Sequence, residues 1–189
     1  MARILDFSGL AGAYATRLFA EQGHEIIRVE TPEGDSVRRL PPFLGEKQDL
    51  ESGAYHQFLN AGKKSLTLNL DSAPGKEILL ELVSQSDALV ADHSLPVEDP
   101  FLFRANPKLL VTRIQDEEPE ICAVARSGLM SLTGQPGQAP AVLGGHVPSV
   151  AVGIYVAVAT AAALLVIRKT GTALVTTVSV REALESFVE

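Results

Sequence analysis

Two pairs of adjacent cations, Arg38-Arg39 and Lys63-Lys64, stand out as side chains able to do chemistry. The first closes the run Glu33-Gly34-Asp35-Ser36-Val37-Arg38-Arg39, and the second sits in Asn60-Ala61-Gly62-Lys63-Lys64-Ser65. Paired cations in loops beside strand ends suit phosphate, because a guanidinium grips two phosphate oxygens at once and an ammonium supplies a point charge. Solvated surface charge accounts for the same pairs, and composition by itself favours that reading. A second candidate is the turn Ser8-Gly9-Leu10-Ala11-Gly12-Ala13-Tyr14, with Glu30 closing the next strand. A dinucleotide site needs three glycines here. Only Gly9 and Gly12 are present, with Ala11 in the middle position and Tyr14 in the last, so a tight turn suffices and no nicotinamide cofactor is expected.

These groups need a scaffold, and the hydrophobic pattern supplies one. Residues 3–7 read as a short buried strand, and residues 10–22 carry Leu10, Tyr14, Leu18 and Phe19 at helical spacing, with Gly23 as the stop. Residues 24–30 read as a second strand, completing a β-α-β unit of the kind that builds parallel sheets. Residues 31–53, rich in proline and glycine, read as a long functional loop. Residues 64–70 alternate Leu66, Leu68 and Leu70 with polar residues, a half-buried strand. A helix opens at Asp71-Ser72-Ala73-Pro74, with Asp71 or Ser72 as cap, and runs to Val83. Strands follow at 88–91 and 109–114, then a helix over 119–132 and a loop over 134–148. The long apolar helix after that loop ends at Gly171, a strand occupies 172–179, and a last helix starts at 180. The expectation is one Rossmann-like α/β domain over 1–189: an open parallel sheet with helices on both faces, incomplete as a functional unit. The apolar face of the last helix (Leu184, Phe187, Val188) is expected to be uncovered, which favours self-association.

Composition narrows the function. A net charge of −7 disfavours nucleic acid as a partner. The single cysteine, Cys122, cannot form an internal disulfide and suits a reducing cytoplasm, and the first residues lack the apolar run of a signal peptide. Residues 150–167 carry no charge and approach the length of a membrane span. Their small residues and unbelted flanks favour a helix buried in an α/β core, with no membrane partner.

Taken in order, the motifs resemble a known family. Leu5-Asp6-Phe7-Ser8, Ala11-Gly12-Ala13-Tyr14-Ala15-Thr16-Arg17-Leu18 and Gly23-His24-Glu25-Ile26-Ile27-Arg28-Val29-Glu30 are similar to the opening of class III CoA-transferases (CaiB/BaiF). The resemblance continues through Gly34-Asp35, Arg38-Arg39 and the asparagine-lysine loop at Asn60. It goes on through Asn106-Pro107, Ser127-Gly128-Leu129-Met130-Ser131-Leu132-Thr133-Gly134, Gly153-Ile154-Tyr155 and Arg168-Lys169-Thr170-Gly171. It covers the whole chain and corresponds to the N-terminal half of a typical member, so the small domain and C-terminal segments are absent. It implies a domain that binds coenzyme A or an acyl-CoA as substrate, without a metal. Arg38 would lie at the nucleotide phosphates, Lys63 or Lys64 at the matching loop, and Asp92 and His93 would also contact the ligand. Members are interlocked dimers, which implies a second copy or a paralogous subunit as partner.

Three departures bear on chemistry. The family's nucleophilic aspartate stands four residues before a glycine that starts the apolar helix. Counting back from Gly153 gives Ser149, and no acidic residue lies between Glu120 and Glu182. A serine without an adjacent base is a poor nucleophile, and His146, three residues away, makes no dyad by proximity in sequence alone. The connection from Asp92-His93 to Asn106-Pro107 is shorter than usual. Asp116, Glu117, Glu118 and Glu120 replace a loop near the pantetheine arm, where their charge would repel phosphate. Pro119 stands at the approximate position of the histidine used by related α-methylacyl-CoA racemases. The expectation is therefore a degenerate transferase domain, or the non-catalytic half or subunit of such an enzyme. The alternative is a partner-binding scaffold without CoA.

Overall fold

The computed structural model describes residues 1–92, 95–115 and 118–188. In chain order the elements are β1 (Arg3–Phe7), α1 (Leu10–Glu21), β2 (Glu25–Glu30), α2 (Ala54–Asn60), β3 (Lys64–Thr67), α3 (Ala73–Ser84) and β4 (Ala88–Ala91). They continue with α4 (Asp99–Ala105), β5 (Leu110–Gln115), α5 (Glu120–Arg126), α6 (Val147–Thr170), β6 (Leu174–Ser179) and α7 (Val180–Glu185). The six strands form one parallel sheet in the order β3-β2-β1-β4-β5-β6. Chain order reverses between β1 and β4, and a crevice opens there beyond the carboxyl ends of the strands, where open α/β sheets bind ligands.

Helices cover both faces, as the alternation predicts. On one face Ala15 and Phe19 of α1, Val152 and Val156 of α6, Val124 of α5 and Leu184 of α7 pack on Ile4, Ile26, Val90 and Leu110. On the other, Leu79 and Val83 of α3 and Leu102 of α4 pack on Leu5, Val29, Leu89 and Val111. Ser72 caps α3 by accepting from the Gly75 amide, and Gly171, in the left-handed region, ends α6. Gly153 sets the approach of α6 to α1: a Cβ there would lie 2.6 Å from the Ala11 carbonyl oxygen. Small residues at 153 and 11 thus bring the two helix backbones together.

The structure corrects several expectations. Residues 31–53 are not merely a loop: two short 3-10 turns, Ser36–Arg39 and Leu44–Glu46, and an isolated bridge from Phe43 to Gly53 give them form. With α2 they fold over α1, seating Val37 and Leu59 against Ala13. Helices α2 and α4, each 7 residues, are absent from the sequence pattern because a segment that short shows barely two turns of periodicity. The helix predicted over 119–132 breaks at Gly128, whose φ of 84° is left-handed, and resumes as a 3-10 turn.

The apolar helix α6 is buried on one face only. Its length and composition would allow it to cross a membrane, and 33% of its most apolar window is buried. Ile154, Tyr155, Val158, Leu165 and Val166 are exposed. In the tail Leu184 is fully buried, against the expectation of an uncovered face, while Phe187 stays exposed as expected and meets Tyr155 edge-on at 5.7 Å between ring centres.

Candidate functional site

The site is organised around Asp6, fully buried in β1. Its Oδ1 accepts from the Ser8 amide (3.1 Å), the Ser8 hydroxyl (2.6 Å) and Arg28 Nη1 (2.7 Å). Its Oδ2 accepts from the Thr16 hydroxyl (2.6 Å) and from Lys63 Nζ (2.9 Å). Burial alone would push this carboxyl up. The charges of Arg28 and Lys63, with the two hydroxyl donors, outweigh it and hold Asp6 below the usual carboxylate range. Lys63, whose side chain is 1% exposed, also donates to Ala13 O (2.8 Å), Thr16 Oγ1 (2.8 Å) and Asn60 Oδ1 (3.1 Å). Its ammonium is a brace tying β3 to β1 and α1 rather than an open phosphate contact. Burial pushes its pKa down, against the pull of Asp6.

The other expected ligand contacts separate. Lys64 is exposed and reaches back to Glu25 (2.5 Å), at the start of β2, away from the strand ends where the crevice opens. Arg38 holds Glu30 with two parallel bonds, Nε–Oε2 at 2.6 Å and Nη2–Oε1 at 2.8 Å, and touches Glu51 through Nη1 at 2.9 Å. Burial would raise the Glu30 carboxyl, but the hydrogen bonds and charge of Arg38 lower it on balance. Arg39 is exposed and, among the described residues, bonds only carbonyl oxygens, those of Glu33 (2.6 Å) and Asp35 (3.3 Å). Asp92 lies just past β4 and accepts from the Gly9 amide. His93 lies outside the described residues, as do Asp116 and Glu117 of the acidic segment.

Two cavities meet here. One, of about 230 Å³, is the crevice itself, lined by Ser8, Gly9, Arg28, Glu30 and Asp35. The second, of about 310 Å³, is lined by Leu10, Ile114, Glu120, His146, Ser149 and Val152. Ser36 and Asp92 line both, so the two form one track from the strand ends to the head of α6.

At the far end of that track stands Ser149, the third residue of α6. Its hydroxyl donates to Oε2 of Glu120, the first residue of α5. His146 Nδ1 lies 3.5 Å from the same oxygen. His146 caps α6 in a left-handed conformation (φ 55°), unusual for a residue with a side chain, and Tyr55 of α2 meets its ring edge-on at 5.3 Å. The histidine therefore faces the carboxylate and not the serine hydroxyl. Sequence reading passed over Glu120, counting it among the repelling carboxylates. No local spacing signals a pairing across 29 residues, and the nearest hint is its place beside Pro119. Among the described residues no cluster suited to a metal ion is present.

An open parallel sheet of this order, with helices on both faces, defines a Rossmann-like α/β domain. The profile of CoA-transferase family III matches residues 2–114 and 119–189, and the chain belongs to that family. It is 32% identical over 163 residues to a succinyl-CoA:mesaconate CoA-transferase of Haloarcula marismortui, a match covering 75% of this chain and 41% of that protein. It is 32% identical over 185 residues to a formyl-CoA:oxalate CoA-transferase of Streptomyces coelicolor, covering 89% and 44%. The fold matches a CAIB/BAIF family protein from Brucella suis with a TM-score of 0.88 at 23% identity, over 99% of this chain and 54% of that one. The chain spans about half the length of the relatives it matches.

Proposed function

We propose that this chain binds a coenzyme A thioester along the track from the crevice to the head of α6, as the ligand-binding part of a class III CoA-transferase that is degenerate at residue 149. The observation that carries this is the continuity of the two cavities through Ser36 and Asp92, ending on Ser149 and Glu120. The relatives named above are CoA-transferases acting on CoA thioesters and carboxylic acids, which supports the same ligand class here. Phosphate contact falls to the Arg38-Arg39 pair. Among the described residues Arg39 has only carbonyl partners, and the Arg38–Glu51 contact is replaceable because Glu51 is 81% exposed, where an ion pair is worth ~0–1 kcal/mol. Asp92 stands where the two cavities meet, and His93, the next residue in the chain, is kept as a proposed ligand contact on the family resemblance alone. Lys63 serves by fixing Asp6, and Lys64 stays at the sheet edge. Ser149 forms no acyl intermediate of its own, since the group its hydroxyl meets is the weakly basic Glu120 carboxylate, and a second copy or a paralogous subunit completes the enzyme.

A second reading is a docking module, favoured by the exposed apolar face of α6. Calorimetric titration of the chain with CoA and acetyl-CoA separates the two. Binding that weakens in Arg39→Ala and is lost in Ser36→Trp, which fills the junction of the cavities, supports the ligand site. Absence of binding at millimolar CoA, with the melting temperature unchanged, would sink it and leave the docking reading.

A further inference from the structure

The carboxylate missing from residue 149 has a substitute in the same place. Resting on the acyl-CoA-binding reading above, we infer that Glu120 is the nucleophile of this site. It reaches from the first turn of α5 to the hydroxyl that Ser149 presents from the first turn of α6.

The argument is one of geometry and acidity. Three side chains at this end of the cavity can attack a carbonyl: Ser149, His146 and Glu120. The serine hydroxyl must lose a proton as it attacks, and its partner is the Glu120 carboxylate, a far weaker base than the alkoxide that would form. His146 does not reach the hydroxyl and directs Nδ1 at the carboxylate instead. Glu120 needs no base, because a carboxylate oxygen attacks without giving up a proton. Its Oε2 is held by Ser149 and faces His146, while Oε1 makes no hydrogen bond among the described residues. One oxygen anchored and the other open to the cavity is the arrangement an attacking carboxylate needs, since the anchor fixes direction and the open lone pairs do the chemistry. The side chain is 32% exposed, enough for a thioester to reach it. The other described carboxylate of this cavity, Asp92, is anchored on the Gly9 amide at the junction with the crevice.

The step balances without a further reagent. Glu120 Oε1 bonds to the thioester carbonyl carbon and the C–S bond breaks, giving a glutamyl-acyl anhydride and CoA thiolate. The thiolate then attacks the glutamyl carbonyl, releasing the first acid and leaving a glutamyl-CoA thioester. An incoming carboxylate attacks that thioester, the thiolate returns to the new acyl carbon, and Glu120 is regenerated. Ser149 and His146 act as positioning residues that hold Oε2.

The test incubates the full chain with formyl-, acetyl- and succinyl-CoA, then treats it with borohydride and maps the product by peptide mass. Reduction of a glutamyl-CoA thioester leaves an alcohol at the modified residue. The expected result is modification of Glu120, lost in Glu120→Gln and retained at lower yield in Ser149→Ala. Calorimetric titration with CoA is run on the same preparations. Binding without an adduct at Glu120, or an adduct on Ser149, His146 or Asp92 instead, overturns the assignment while leaving the ligand site intact. No binding of any of the thioesters removes the underlying reading, and this assignment with it.

Discussion

The ammonium of Lys63 sits 2.9 Å from Asp6 Oδ2, bridging 57 residues of chain, with both side chains shut away from water. Lys63→Ala removes one of the two cations on the buried Asp6 and leaves Arg28 with the Ser8 and Thr16 hydroxyls. It is expected to destabilise the fold by about 1–3 kcal/mol, the usual cost of stripping a partner from a buried polar group. Urea unfolding followed by circular dichroism measures it. A loss under ~1 kcal/mol would show that Lys63 is a surface cation after all.

Acid should loosen the same network. The folded-state carboxyls of Asp6 and Glu30 lie below their ordinary values, because bound cations outweigh the cost of burial. Each contributes stability that is fully present above its unfolded pKa and lost as pH falls through the lower folded value. His56 adds to the trend: burial, then the charge of Arg38, lowers its pKa, so the unfolded chain takes up that proton first. The urea midpoint is expected to fall from about pH 6.5 downward and most steeply below about pH 4. In Asp6→Asn it starts lower at neutral pH and declines less on acidification. A midpoint independent of pH over that range would refute the electrostatic account.

The hydroxyls of Thr112 in β5 and Thr160 in α6 are 3.0 Å apart and fully buried, a polar stitch between sheet and helix. Thr160→Val strands the Thr112 hydroxyl and is expected to cost about 1–3 kcal/mol, whereas the double variant Thr112→Val/Thr160→Val costs less than the sum of the single changes. A double-mutant cycle reads the coupling. Strict additivity would mean that the two hydroxyls do not depend on each other.

Close approach at Gly153 gives a fourth outcome. A Cβ there would lie 2.6 Å from a backbone oxygen of α1, which cannot swing aside as a side chain can. Gly153→Leu is expected to push α6 outward and cost at least about 1–3 kcal/mol. Because α6 carries Ser149, it should also reduce CoA binding on titration. Unchanged stability and binding would show that the α1–α6 contact does not set the position of the site.

How legible the fold was follows from which forces are local. The strands at 88–91 and 24–30, the Ser72 cap and the Gly171 stop were readable because residue period, cap chemistry and glycine conformation act within a few positions. Helices α2 and α4 were not, being too short to show a face, and the break at Gly128 was hidden inside a run that kept its helical pattern. At the site, the side-chain partners were not legible. Lys63, expected at a phosphate, is buried against Asp6. The acidic run after β5 looked repulsive, yet Glu120 turns toward Ser149.

The sequence by itself determined the alternation of strands and helices, the parallel sheet with helices on both faces, and the family. Each is written in residue types at short or fixed spacing. The tertiary structure alone decided that Arg38 grips Glu30, that Lys63 points inward to Asp6, and that Glu120 reaches the head of α6. A charged side chain chooses its partner by distance and desolvation in the packed molecule, and those depend on how segments 29 or 57 residues apart come to lie together.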